Sequence, residues 1–145
     1  EAAPKTVENF VTLAKAGFYD GTSFHRVIPG FVAQGGDPLS KELPAGDPKI
    51  GTGGADKNIP GEFEGGTKHL RGSLAMARSQ DPNSASSQFY VSFQPIPHLD
   101  GNYAIFGHVV NGMDVVASLN PTERDGAAVT EPAPDKIVKM TVLEQ

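Results

Sequence analysis

The chain has 145 residues, 38% of them hydrophobic and 20% charged, enough for one domain with a sizeable core. Its net charge of −5 argues against non-specific nucleic-acid binding, which runs on basic patches, and no apolar run reaches the length of a membrane-spanning helix, so neither nucleic acid nor membrane is an expected partner. It holds no cysteine, which excludes disulfides and thiolate metal sites and leaves the compartment unread, with the cytoplasm as the default.

Seventeen Gly and twelve Pro, spread between short apolar runs, favour a β-rich, turn-rich single domain over residues 1–145. Pro4 to Ala16 reads as an amphipathic helix, with Val7, Phe10, Val11 and Ala14 at helical spacing, Pro4 in the first turn and Gly17 as the stop. Two extended runs follow, Phe24 to Ile28 and Phe31 to Gln34, joined by the turn Pro29-Gly30. Leu39 to Gly66 has no sustained period and is too long for a simple turn, so it reads as a structured or functional loop.

Strands are expected within His69 to Ala77, Gln88 to Phe93 and Ala104 to Val110, with the polar loop Arg78 to Ser87 between the first two. Pro95-Ile96-Pro97 forbids regular pairing and leaves His98 to Tyr103 on a loop. Met113 to Leu119 reads as a short helix, Pro121 to Pro134 as loop, and Ile137 to Leu143 as a final strand with Val138, Met140 and Val142 on one face.

The chemistry concentrates in Phe24-His25-Arg26-Val27-Ile28-Pro29-Gly30-Phe31-Val32-Ala33-Gln34-Gly35-Gly36-Asp37. Period-2 alternation puts Arg26 on one line with Phe24 and Ile28, an odd place for a charge in a plain core strand. A guanidinium beside an aromatic ring and an amide suits recognition of a neutral peptide with one apolar side chain. By position alone, Arg26 reads more readily as a solvated or ion-paired surface residue, and Phe31, Val32, Tyr90 and Leu99 as ordinary core. His25, His69, His98 and His108 match no zinc spacing, so no metal is expected.

That run resembles the signature of the cyclophilins, the peptidyl-prolyl cis-trans isomerases. Gly72-Ser73-Leu74-Ala75-Met76-Ala77, Ser87-Gln88-Phe89-Tyr90-Val91, Leu99-Asp100-Gly101 and Phe106-Gly107 are similar to the family's later blocks, in the family's order. The resemblance implies a mainly β fold, a closed eight-stranded antiparallel β-barrel capped by two helices. Two strands precede the first helix in the family; this sequence starts at that helix, so an N-terminally truncated domain with an open seam is expected.

The resemblance also implies isomerisation of X-Pro bonds in support of protein folding, without a cofactor. Its substrates would be proline-containing peptides and unfolded or flexible protein segments. The alternatives are a non-catalytic proline-peptide binding module on the same groove, or a chaperone, which would need a large exposed apolar patch. Arg26 matches the family's catalytic position. Phe31, Val32, Tyr90 and Leu99 match the proline pocket, with Val32 making it shallower and Tyr90 adding a hydroxyl at its edge. Gln34 and Gln88 match amides that hold the peptide, and Ala77 and Arg78 a segment that pairs with it. His98 and Tyr103 stand where drug-sensitive relatives commonly have Trp and His, so weak cyclosporin binding is expected, and a monomer when the domain is complete.

Overall fold

The computed structural model describes residues 2–143. Its elements run α1 (Pro4–Lys15), β1 (Arg26–Ile28), β2 (Val32–Gly35), α2 (Leu39–Glu42), β3 (Ser73–Met76), β4 (Phe89–Ser92), a 3-10 turn (Pro97–Leu99), β5 (Ile105–His108), α3 (Met113–Ala117), β6 (Glu123–Arg124) and β7 (Ala127–Ala128). Strands β1 to β5 form one antiparallel sheet in the order β1-β2-β4-β3-β5, and β6 pairs with β7. The expected mainly β fold is thus present. Among the described residues the large sheet does not close on itself, and β1 and β5 are its edges.

Helix α1 starts with Pro4 in its first turn, as expected. It ends in a Schellman motif: Phe18 N–H donates to Leu13 C=O at 3.0 Å and Gly17 N–H to Ala14 C=O at 3.1 Å, with Gly17 at φ +76°. The buried face differs from the expected one. Thr6 and Ala14 are buried, with Phe10 and Leu13 packed on the core, while Val7 is exposed. Glu62 accounts for the rotation. Its carboxylate accepts from Thr6 N–H at 2.6 Å, Thr6 Oγ1 at 2.7 Å and Lys5 N–H at 3.2 Å, taking up donors that the helix start cannot satisfy itself. These bonds hold the Thr6 edge inward. Burial works against the charge on Glu62, but the hydrogen bonds from Thr6 and Lys5 outweigh it and hold the carboxyl below its usual range.

Three apolar clusters pack on the sheet, the third on the opposite face from the other two. One joins Tyr19, Met76 and Phe89 to α1, one joins Val27, Ala33 and Phe93 to α3, and the third gathers Val32, Ala75, Tyr90, Ile96 and Ile105. The third carries the site.

The final strand does not form. Ile137 to Leu143 is irregular, and its one bridge lies just ahead of it, Lys136 opposite Ser23. Ile137 exchanges backbone bonds with Gly21 and Thr22, and Met140 N–H is taken by the Asp20 carboxylate at 2.8 Å. Alternation alone cannot make a strand without a neighbour to share the ladder. Ile137, Met140 and Val142 still pack on the core, while Val138 is 91% exposed. Two short elements went unread: α2 inside the Leu39–Gly66 loop, and the β6–β7 hairpin, which turns on Asp125-Gly126 with both residues at positive φ.

Candidate active site

Strand register assembles the site. Arg26 lies opposite Gln34 across β1 and β2, Gln34 opposite Tyr90 across β2 and β4, and Tyr90 opposite Ala75 across β4 and β3. Directly paired residues project to the same face, so a guanidinium, an amide and an aromatic ring stand in one row. Val32, two residues before Gln34, shares that face.

Above this row opens a pocket of about 320 Å³. Val32 and Tyr90, both buried, make its floor. Phe31, Leu99 and Tyr103 form apolar walls, with Ala77 and Arg78 on the side of β3. Arg26 and Gln34 line the remaining side. The Arg26 guanidinium carbon sits 5.8 Å from the Phe31 ring centre, and Nη1 donates to Gln34 Oε1 at 3.4 Å. The other guanidinium N–H groups have no hydrogen-bond partner among the described residues.

Gln88 does not line this pocket but the one beside it, of about 280 Å³. Its amide is engaged within the protein: Oε1 accepts from Gln34 Nε2 at 2.9 Å, and Nε2 donates to Gly51 C=O at 2.9 Å and Gly53 C=O at 2.8 Å. The loop it grips is pinned by Asp37, which is fully buried and accepts from the backbone N–H of Leu39, Gly51 and Gly53 at 2.9, 2.5 and 3.1 Å. A Cβ on Gly53 would collide with that carboxylate. Gln88 therefore orients Gln34, and Gln34 orients Arg26.

The Tyr90 hydroxyl points away from the pocket edge where the sequence reading put it. It lies 2.6 Å from His69 Nε2, beneath the floor, and His69 Nδ1 lies 2.8 Å from Asp100 Oδ1. The carboxylate assigns the proton to Nδ1, leaving Nε2 to accept from the phenol. His69 backbone N–H also donates to Asp100 Oδ1 at 2.7 Å. His69 is wholly buried, and burial raises the Tyr90 phenol well above its usual range. The two hydrogen bonds from His69, backbone first, hold the Asp100 carboxyl low. The ring of Tyr90 is thereby anchored, through His69 and Asp100, to the loop that carries Leu99.

His98 sits exposed on the 3-10 turn, its ring nearly parallel to Phe31 at 6.5 Å, a rim residue and not a lining one. Arg78 lies between two rings, 4.7 Å from the Tyr103 centre and 5.6 Å from that of Phe63. Sequence reasoning missed Asp37, Phe63, His69 and Asp100 in the roles described above. Apart from Leu39, two residues from Asp37, their partners are from 14 to 31 residues away, and no local pattern marks them. Among the described residues no group of three His, Cys, Asp or Glu could hold a metal ion.

The antiparallel sheet thus presents a ring-sized apolar pocket with a guanidinium at its edge, of a size and chemistry to take one compact apolar group. The chain belongs to the cyclophilin family: the model for "Cyclophilin type peptidyl-prolyl cis-trans isomerase/CLD" matches residues 1–142. It is 43% identical over 146 residues to a probable peptidyl-prolyl cis-trans isomerase of Brucella abortus, covering 98% of this chain and 73% of that protein. Among solved structures it is similar to the cyclophilin AquaCyp293 of Hirschia baltica, at TM-score 0.75 and 26% identity, over 96% of this chain and 65% of that one. A cyclophilin type isomerase of Cryptosporidium parvum, solved in the presence of the dipeptide Ala-Pro, matches at TM-score 0.77 and 29% identity, over 98% of this chain and 88% of that one.

Proposed function

We propose that this groove catalyses cis-trans rotation about X-Pro bonds in peptides and in unfolded or flexible protein segments, with Arg26 as the catalytic residue. The observation that carries the reading is Arg26 at the edge of the apolar pocket, steadied by Gln34 and the face of Phe31, with most of its donors unspent. That the Cryptosporidium relative was solved in the presence of the dipeptide Ala-Pro supports a proline as the occupant.

The chemistry needs no covalent intermediate. Amide resonance sets a barrier of ~18–20 kcal/mol. Twisting the bond breaks that resonance and makes the proline nitrogen more basic. A donor aimed at that nitrogen binds the twisted amide better than either planar form, which is the condition for catalysis. Guanidinium stays charged and its fork is rigid, so it delivers the donor without reorganising. Phe31, Val32, Tyr90 and Leu99 hold the pyrrolidine ring while the preceding residue swings. Gln34 keeps Arg26 in line, and Gln88 acts through Gln34. Ala77 and Arg78 offer main-chain groups along which the peptide lies extended.

A non-catalytic proline-binding module would share the pocket but has no use for the unspent guanidinium. NMR exchange on an X-Pro peptide separates the two. The isomerase reading predicts cis and trans signals that exchange at substoichiometric protein, while saturable binding without exchange would reject it.

A further inference from the structure

We propose that the groove prefers proline peptides with an anionic side chain two residues from the proline, and that Arg78 reads that charge. The inference rests on the isomerase reading and adds the class of substrate.

The two cavities lie side by side and share Gln34, Ala77 and Arg78. An extended peptide rises roughly 3.3 Å per residue and returns to the same face every second residue. With proline in the first cavity, the side chain two positions away stands over the second. The second cavity is a poor host for an apolar group. Beside Arg78 it is lined by the hydroxyls of Thr52, Ser79, Ser84 and Ser86. The first three donate to Lys49 C=O, Ser84 Oγ and Asp81 C=O, while Ser86 Oγ accepts from Ala55 N–H and its own hydrogen has no partner among the described residues, so Ser86 is the hydroxyl that can join Arg78.

The charge balance is local and one-sided. Arg26 and Arg78 both line the first cavity, and no Asp or Glu lines either one, in a chain whose net charge is −5. The nearby carboxylates Asp37 and Asp81 lie outside both cavity linings and bond to backbone N–H groups. Asp37 sits behind the wall with its oxygens taken by three backbone N–H groups, and Asp81 Oδ1 accepts from Asn83 N–H in an exposed turn.

Arg78 is also held in place. Nε donates to Asn102 C=O at 2.9 Å, and Nη1 to Ser79 C=O at 2.9 Å and Gln80 C=O at 3.3 Å, while Tyr103 and Phe63 flank the guanidinium. Nη2 keeps both hydrogens without a partner among the described residues. A guanidinium already ordered loses little freedom on binding, and its N–H donors suit a carboxylate or a phosphate.

The test measures kcat/KM by NMR exchange on two peptide series, with glutamate, phosphoserine, glutamine or lysine placed two residues before or two residues after the proline. In one series at low salt, the anionic peptides should exceed the glutamine peptide by about three- to tenfold and the lysine peptide should fall below it, with the spread shrinking as salt rises. Comparing glutamate with phosphoserine tells a carboxylate reader from a phosphate reader. Arg78→Met should bring the anionic-to-glutamine ratio close to one, and Arg78→Lys should keep part of it. Each ratio is taken within one protein sample, so any unfolded fraction cancels. An anionic-to-glutamine ratio of one in both series, or a preference unchanged in Arg78→Met, overturns the proposal. If no peptide turns over, the isomerase reading fails instead, and Kd values from chemical-shift titration of the same peptides decide the charge preference.

Discussion

The anchor beneath the pocket floor makes a quantitative prediction. His69→Leu removes a wholly buried ring of similar volume and leaves the Tyr90 hydroxyl without its partner, which stands 2.6 Å away. Tyr90→Phe does the converse, leaving His69 Nε2 with no donor. Stranding one buried polar group costs about 1–3 kcal/mol. For a domain of this size that is a fall in Tm of roughly 3–9 °C. The double variant strands neither end of that bond, so its loss should be smaller than the sum of the singles by about 1–2 kcal/mol. Urea unfolding of the four proteins, with m-values compared, measures this. The backbone bond from His69 to Asp100 survives in every variant and does not enter the coupling. Strict additivity would show that phenol and imidazole do not act as a unit, and the anchored floor would have to be abandoned.

Two further predictions concern the helix clamp and the rim. The Glu62 carboxyl is held low in the folded chain, so its contribution is present in full above the usual glutamate value of about 4.3 and is lost as pH falls through the lower folded value. Glu62→Ala should lower stability by about 1 kcal/mol at neutral pH, as loss of an N-terminal cap does, and the gap to wild type should close in acid; a gap independent of pH would reject the clamp. Cyclosporin should bind weakly, because the exposed His98 on Phe31 offers less apolar face than an indole and His98→Trp should tighten binding; calorimetric titration showing tight binding by the unmodified chain would contradict this.

The sequence made the local half of the site readable. Alternation and the Pro29-Gly30 turn were enough to place Arg26, Phe31, Val32 and Gln34 on a hairpin, because hairpin register follows from neighbours in the chain. Tyr90 was readable as a strand residue, but the direction of its hydroxyl depended on His69, 21 positions away. Helix α1 was placed within a residue of its true end by Pro4 and Gly17. Phe10 and Ala14 were placed on its buried face, but Thr6 and Leu13 were missed and Val7 wrongly included, because Glu62, which holds Thr6, belongs to a loop without periodicity. Ile137 to Leu143 failed as a strand for a similar reason. Its alternation is genuine, but strand formation is a property of a pair, and beyond Ile137 and the Met140 N–H none of its backbone groups meets a hydrogen-bond partner among the described residues. Asp37 looked like the end of a glycine run; its role as the pin of the Gly51–Gly53 loop appears only once that loop folds back.

The central claim is that Arg26 stabilises the twisted amide. It is tested most directly by the enzyme-catalysed exchange rate of a single X-Pro peptide on the wild-type chain, Arg26→Ala and Arg26→Lys, with Kd measured on the same samples. The account predicts a fall in kcat/KM of roughly 10²–10³ for Arg26→Ala, the scale of one lost transition-state donor, with partial retention in the lysine variant and a much smaller change in Kd. Wild-type-like exchange in Arg26→Ala, or a loss carried entirely by Kd, would contradict it.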